Sequence, residues 1–158
     1  RDYTAGVRML KTPSDHYWIF PYERGQYGNN VKNVIRDTAR LDGAAYTILL
    51  EPGTSGGAAG LLYEEYKNNL TGYNTVQSLP KGTKADRATP LANAIYDGKV
   101  HICIRNDTQR QTLLDEFKSF PNGKQDDLVD AVAYGYNWLS KHGDNHVGTS
   151  GKRRRVRL

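Results

Sequence analysis

Residues 46–53 of this chain read YTILLEPG, and they decide how the rest of the sequence is arranged. The run up to Leu50 is uncharged and mostly apolar, which is typical of a short strand buried on both faces of a sheet. Glu51 follows directly, Pro52 ends strand pairing, and Gly53 allows a tight turn. An acid at the carboxyl end of a buried strand lies where ligand sites in open α/β sheets collect. The alternative is that Glu51 is only the first solvated residue of a loop.

Strand-like and helical segments alternate on both sides of this run. Upstream, residues 3–10 and 17–22 predict an antiparallel hairpin, and residues 30–41 predict a helix. A glycine-rich turn at 53–60 leads into the next helix. Further strands are predicted at 74–79 and 99–104, and helices to about residue 70 and at 84–96, 108–117 and 126–140. The sequence therefore predicts an α/β fold, with a mixed sheet flanked by helices.

The positive charge is concentrated at the C-terminus. The chain has 158 residues and a net charge of +5, and its length predicts one domain. Five of its 22 Lys and Arg are Lys152, Arg153, Arg154, Arg155 and Arg157; the remaining 17 balance the 17 Asp and Glu. Residues 142–158 are rich in Gly, Asn, Ser and charge, and predict a flexible basic tail. Such a tail contacts DNA phosphates or a partner, or only aids solubility.

A second acidic segment, QDDLVDAVAY, occupies residues 125–134. Asp126 and Asp130 are four positions apart, and Asp127 and Asp130 three, so a helix places them on neighbouring parts of one surface. Clustered carboxylates repel unless a cation lies among them, and Mg²⁺ takes oxygen ligands. The alternative is one helix cap and two solvated acids. With Glu51, the cluster has the composition of a two-metal nuclease site.

Other chemistries lack their motifs. The histidines form no HExxH, and Cys103 is the only cysteine, so a zinc site of the usual kind and an internal disulfide are not expected. The sequence contains no GxxxxGK[ST] or GxSxG, and no apolar run long enough to predict a membrane span. Lys81, Lys84 and Arg87 cluster at a strand-to-helix turn and predict phosphate contacts. Pairing with Asp86 as surface salt bridges is the alternative.

Four motifs together resemble a known family. They are DYTAG at 2–6, DG at 42–43 ahead of ILLEPG at 48–53, KGTKADRA at 81–88, and FPNGKQDDLVDA at 120–131. Their order resembles the C-terminal nuclease domain of the large terminase subunit of tailed phages, over about residues 2–140. The resemblance implies an RNase H-like fold related to RuvC-type resolvases.

The resemblance also implies an activity: cleavage of concatemeric viral DNA during packaging, with two Mg²⁺ or Mn²⁺ ions. By position, Glu51 matches the family's second catalytic acid, and Asp126 and Asp127 match the pair that supplies the third. Asp2 matches an acid that reaches the second metal. Asp130 matches a recurrent acid to which we assign no role.

One departure concerns the family's first catalytic aspartate, which lies on a strand upstream of the DYTAG motif. Residues 1–141 are thus expected to form the nuclease domain without its first strand, and to be nearly inactive alone. The family implies a packaging ATPase domain in the same chain, with portal protein, small terminase subunit and double-stranded DNA as partners. It also implies a location in the host cytoplasm, at the procapsid. The alternatives are a Holliday-junction resolvase, an RNase H-type nuclease, or a non-catalytic module that binds DNA or portal.

Overall fold

Six strands form one mixed sheet in the computed structural model, which describes residues 3–51, 57–142 and 155–157. The strands are β1 (Thr4–Lys11), β2 (Tyr17–Gly25), β3 (Tyr46–Leu50), β4 (Asn74–Gln77), β5 (Val100–Ile102) and β6 (Arg155–Arg157). The helices are α1 (Val31–Asp42), α2 (Gly57–Asn68), α3 (Lys84–Tyr96), α4 (Asp107–Ser119) and α5 (Asp127–His142). Each strand and helix predicted from the sequence is present, with ends that differ by a few residues.

The strand order across the sheet is β4-β3-β6-β1-β2-β5. β1 and β2 form the predicted antiparallel hairpin, with a register shift between Gly6 and Arg8. β3 pairs in parallel with β4, and β2 in parallel with β5. The predicted fold class, a mixed sheet flanked by helices, is confirmed.

β3 is buried on both faces of the sheet, as its uncharged and mostly apolar sequence predicted. Leu49 is fully buried in the main core, with α5 residues such as Leu128 and Val132. Ile48 and Leu50 belong to a second core, on the face covered by α1 and α2. Full burial of one such side chain contributes about 1.5–3 kcal/mol, so β3 anchors both layers. Among the described helices, none combines the length and apolar character needed to cross a membrane.

The C-terminal strand corrects one expectation. Residues 142–158 were predicted to be a flexible tail outside the fold, but His142 ends α5 and Arg155–Arg157 lie inside the sheet. β6 pairs in parallel with Tyr46–Ile48 and antiparallel with Arg8–Leu10. The physical reason is backbone pairing: β1 and β3 each present an edge that needs partners, and three residues are too few to show a side-chain pattern. Residues 143–154 and 158 lie outside the described residues.

Candidate active site

A cavity of about 390 Å³ opens beside the carboxyl end of β3. Residues 4–6 of β1 form one wall and residues 48–50 of β3 another, while α1, α2, α5 and residues near the end of β2 also contribute. β6 pairs with β3 only as far as Ile48. Within the described chain, no strand therefore separates residues 4–6 from Leu49 and Leu50, and the cavity is an open stretch at the centre of the sheet.

Acids from distant parts of the sequence meet at this cavity. Glu51, Asp127 and Asp130 all line it, although Asp127 follows Glu51 by 76 positions. β3 delivers Glu51 at its carboxyl end, and the first turn of α5 delivers the two aspartates. Glu23 of β2 also lines the cavity. The structure thus brings together Glu51, Asp127 and Asp130 at one cavity.

Glu51 is exposed as a whole residue, but the surrounding protein partly shields its carboxyl group from water. Partial burial of the carboxyl raises the pKa of Glu51 above its ordinary value, and the negative charge of Asp130 raises it further. Arg87 and Lys84 act in the opposite direction. The Glu51 carboxyl therefore lies within electrostatic reach of both an α5 acid and two α3 cations.

Asp127 is in a similar position. Partial burial raises the pKa of Asp127, and the neighbouring Asp126 raises it further, against the opposing charges of Arg24 and Lys84. The amide of Asp130 donates to the backbone oxygen of Asp126 at 2.9 Å, so helical bonding already holds these acids in one turn. An additional cation among them would relieve the repulsion.

Lys84 supplies such a cation from within the protein. Its Nζ lies 2.8 Å from Oδ2 of Asp126 and 2.9 Å from Oδ2 of Asp130. These hydrogen bonds raise the pKa of Lys84 above its ordinary value. Arg87 adds a more distant contact, with Nη2 at 3.9 Å from Oδ1 of Asp130. Lys84 and Arg87, both predicted to bind DNA, thus lie against the acids, and Asp126 faces Lys84.

The acids that line the cavity offer carboxylate oxygens as donor atoms. Among residues 3–51, 57–142 and 155–157, no three His, Cys, Asp or Glu side chains lie close enough to make a metal-binding group. Even so, the carboxylate oxygens of Glu51, Asp127 and Asp130 share one cavity, and oxygen ligands of this kind suit Mg²⁺ and Mn²⁺. The position of the Lys84 ammonium between two carboxylates shows that positive charge is stabilised here.

A buried ion pair that no sequence pattern indicated positions the start of α5. Glu116 of α4 is only 5% exposed, and its Oε2 accepts from the backbone N–H of Leu128 at 2.9 Å. Glu116 Oε1 lies 2.8 Å from Nη2 of Arg24 but in poor hydrogen-bond alignment, so this contact is mainly Coulombic. Burial raises the pKa of Glu116, and Asp127 is among the charges that act on it. Glu116 thus caps the helix that carries the acids. In the sequence it is indistinguishable from a solvated helix acid.

Tyr134 of α5 ties two strand ends together beside the cavity. Its hydroxyl donates to the backbone oxygen of Leu50 at 3.0 Å and accepts from the amide of Ser78 at 3.2 Å; it also contacts the Ser78 oxygen. Burial raises the pKa of Tyr134 above its ordinary value. The hydroxyl fixes the end of β3, and with it the backbone that leads into Glu51.

The other predicted site residues lie elsewhere. Lys81 lines a neighbouring cavity rather than the carboxylate cavity. Asp2, Arg153 and Arg154 lie outside the described residues. The backbone of Arg155 belongs to β6.

The chain resembles a solved structure in fold. It matches the Holliday junction resolvase of fowlpox virus with a TM-score of 0.50 and 14% sequence identity, covering 89% of this chain and 99% of the resolvase. At this identity the likeness shows the fold, which is similar to that of the resolvase and RNase H-like nucleases. No protein-family model and no curated protein matches the sequence.

Proposed function

We propose that this chain is a metal-dependent DNA endonuclease of the RNase H-like superfamily, acting as the nuclease domain of a phage terminase large subunit. The observation that carries the proposal is the meeting of Glu51, Asp127 and Asp130 in one cavity beside the central strand. The fold likeness to a resolvase supports the nuclease part. The motif order at 2–6, 42–53, 81–88 and 120–131 supports the terminase part.

The proposal assigns roles to the main residues of the site. Glu51 and Asp127 bind Mg²⁺ or Mn²⁺, with Asp126 and Asp2 contributing as the family resemblance implies. Two such ions supply an activated water and stabilise the attacking and leaving oxygens of the phosphodiester. Lys84 balances Asp126 and Asp130 until the site is loaded. Glu116 and Tyr134 fix α5 and β3, which carry the ligands.

The proposal includes a position for the family's first catalytic aspartate. The open stretch between residues 4–6 and Leu49 lies beside the acids, where a further strand would complete the sheet. A strand paired with β3 beyond Ile48 would run beside Leu49 and Leu50 toward Glu51. We propose that the first aspartate joins Glu51 and Asp127 from there.

Cleavage of linear duplex DNA with Mn²⁺ tests the proposal. The assay uses protein with an aspartate-bearing strand joined ahead of residue 1, and compares it with Glu51→Gln and Asp127→Asn. Both variants are expected to lose cleavage by at least about a hundredfold while remaining folded, because each removes a metal ligand. Asp97→Asn, outside the cavity, is the control. Retained cleavage in both site variants would reject this site, and absence of cleavage by the parent protein would reject the nuclease assignment.

A Holliday-junction resolvase is the second candidate, because the matched structure is one. The same preparation is offered four-way junctions and linear duplexes of equal length. A resolvase cuts the junction in strong preference, whereas a packaging nuclease cuts linear duplex without needing a branch. Equal cleavage of both substrates favours the terminase proposal.

The partners and location follow from the terminase proposal. A packaging ATPase domain precedes the nuclease domain in the same chain, and portal protein and small terminase subunit bind the assembly. The enzyme then acts in the host cytoplasm at the procapsid. The test is whether portal protein co-purifies with the intact subunit, and whether it still does so when another nuclease replaces residues 1–141. Loss of portal protein on replacement is the result expected if this domain contributes to portal binding.

A further inference from the structure

A second cavity of about 390 Å³, between α3 and α5, is lined by positive charge. Lys81, Arg87 and Lys141 line it, against one carboxylate, Asp86. Among the described residues, Lys81 and Lys141 form no ion pair and no side-chain hydrogen bond, and both are exposed. Their charges are therefore available to a ligand.

Asp86 does not neutralise these cations. It completes the capping box at the start of α3: its Oδ2 accepts from the backbone N–H of Thr83 at 2.9 Å and from the Thr83 hydroxyl at 2.7 Å. These hydrogen bonds lower the pKa of Asp86 below its ordinary value. Its charge thus stabilises the N-terminus of the helix. The cavity retains an excess of positive charge.

Aromatic rings form another part of the cavity wall. The rings of Trp138 and His142 stack with centroids 4.6 Å apart and planes 14° from parallel. Trp138 is 8% exposed, so its ring is held in place by packing. Because Trp138 is buried and stacks with His142, this pair forms a rigid wall beside basic side chains that can contact phosphates.

The two cavities adjoin. Tyr134 lines both of them. Arg87 lines the basic cavity and lies 3.9 Å from Asp130 of the acidic one. A strand whose scissile phosphate is at the acids therefore has its neighbouring phosphates within reach of the basic cavity.

We propose that this basic cavity binds the phosphodiester backbone of the DNA strand that continues from the cut site, with Lys81 and Lys141 as phosphate contacts. The inference rests on the proposed function and deepens it, because it assigns the path of the substrate strand past α5.

The test compares Lys81→Ala/Lys141→Ala with Lys67→Ala/Lys118→Ala, which removes the same charge from exposed lysines outside both cavities. DNA affinity is measured by fluorescence anisotropy in EDTA, over a range of salt concentrations. The plot of log K against log salt has a negative slope, and its magnitude is expected to be smaller by about 1.4–1.8 in the first variant. This change corresponds to the loss of two phosphate contacts. The control should keep the wild-type slope, or change it less than half as much.

Tryptophan fluorescence gives an independent measurement. With Trp18→Phe in place, Trp138 is the remaining tryptophan of the two in the chain. DNA is expected to quench it in the wild-type cavity and not in Lys81→Ala/Lys141→Ala. Equal slopes and equal quenching in the two lysine variants, when protein with the aspartate-bearing strand binds and cuts DNA, would overturn this inference alone. Failure of the protein with that strand either to bind or to cut DNA would overturn the proposed function, and the inference with it.

Discussion

Replacing Lys84 with methionine removes the cation among the α5 acids while keeping most of the side-chain volume. The ammonium lies 2.8 and 2.9 Å from Asp126 and Asp130, but the Lys84 side chain is 53% exposed. Partly exposed ion pairs contribute from about 0 to 1 kcal/mol each. We therefore expect Lys84→Met to lower the metal-free free energy of unfolding by about 1 kcal/mol, or the melting temperature by about 2–4 °C.

Metal binding should change in the opposite direction. A divalent cation that binds these carboxylates must displace the ammonium or tolerate its repulsion. Removing a competitor that contributes about 1 kcal/mol should tighten Mn²⁺ binding about fivefold. Isothermal titration calorimetry with Mn²⁺ measures the affinity, and Mn²⁺ should raise the melting temperature of Lys84→Met more than that of the wild type.

Lys99→Met provides the matched control. Lys99 forms an ion pair of 3.3 Å with Asp15 beside β5, at the far edge of the sheet, so its loss should lower stability without changing Mn²⁺ affinity. If Lys84→Met binds Mn²⁺ no more tightly than wild type, the ammonium does not compete with the metal. The acids would then form a structural ion-pair cluster.

Three further predictions concern the framework of the site. The pKa of Glu51 is raised in the folded protein, so ionisation of Glu51 lowers the free energy of unfolding as the pH rises above the ordinary pKa of a glutamate. Glu51→Gln should therefore have a higher melting temperature than wild type at pH 7. In thermal melts at a series of pH values, this difference should vanish below about pH 4. Glu116→Ala leaves Arg24 and the Leu128 amide without their buried partner and should cost about 3–5 kcal/mol in urea unfolding, whereas Glu116→Gln, which keeps an acceptor, should cost less. Tyr134→Phe should cost about 1–2 kcal/mol in the same assay, through its lost strand-end hydrogen bonds.

Much of the fold was predictable because side-chain patterns report burial. The uncharged, mostly apolar run that ends at Leu50 predicted a strand buried on both faces, and both faces are covered. The helical spacing of Asp127 and Asp130 predicted one acidic surface, and both line the cavity with Glu51. These predictions succeeded because each depends on local periodicity and on which end of a strand or helix a residue occupies.

The remaining features depend on contacts that no local pattern encodes. β6 is placed by the backbone edges of two other strands, and a three-residue segment has no periodicity to read. Glu116 caps a helix that begins 11 positions later, across a turn, so it resembles any solvated acid. Lys84 was predicted to contact phosphate; its ion pairs with Asp126 and Asp130 were not predicted, because they are tertiary contacts over more than 40 positions.

The distribution of charge around α5 connects these contacts to the proposed chemistry. Near its first turn, Asp126, Asp127 and Asp130 are opposed by cations from two other elements, Arg24 on β2 and Lys84 on α3. Near its last turn, the cavity wall is basic and aromatic. A phosphodiester is repelled by the first region unless metal ions intervene, and is attracted by the second without them. In the proposed function, a strand held along α5 therefore needs metal only at the acidic end, which would restrict hydrolysis to the phosphate that lies there.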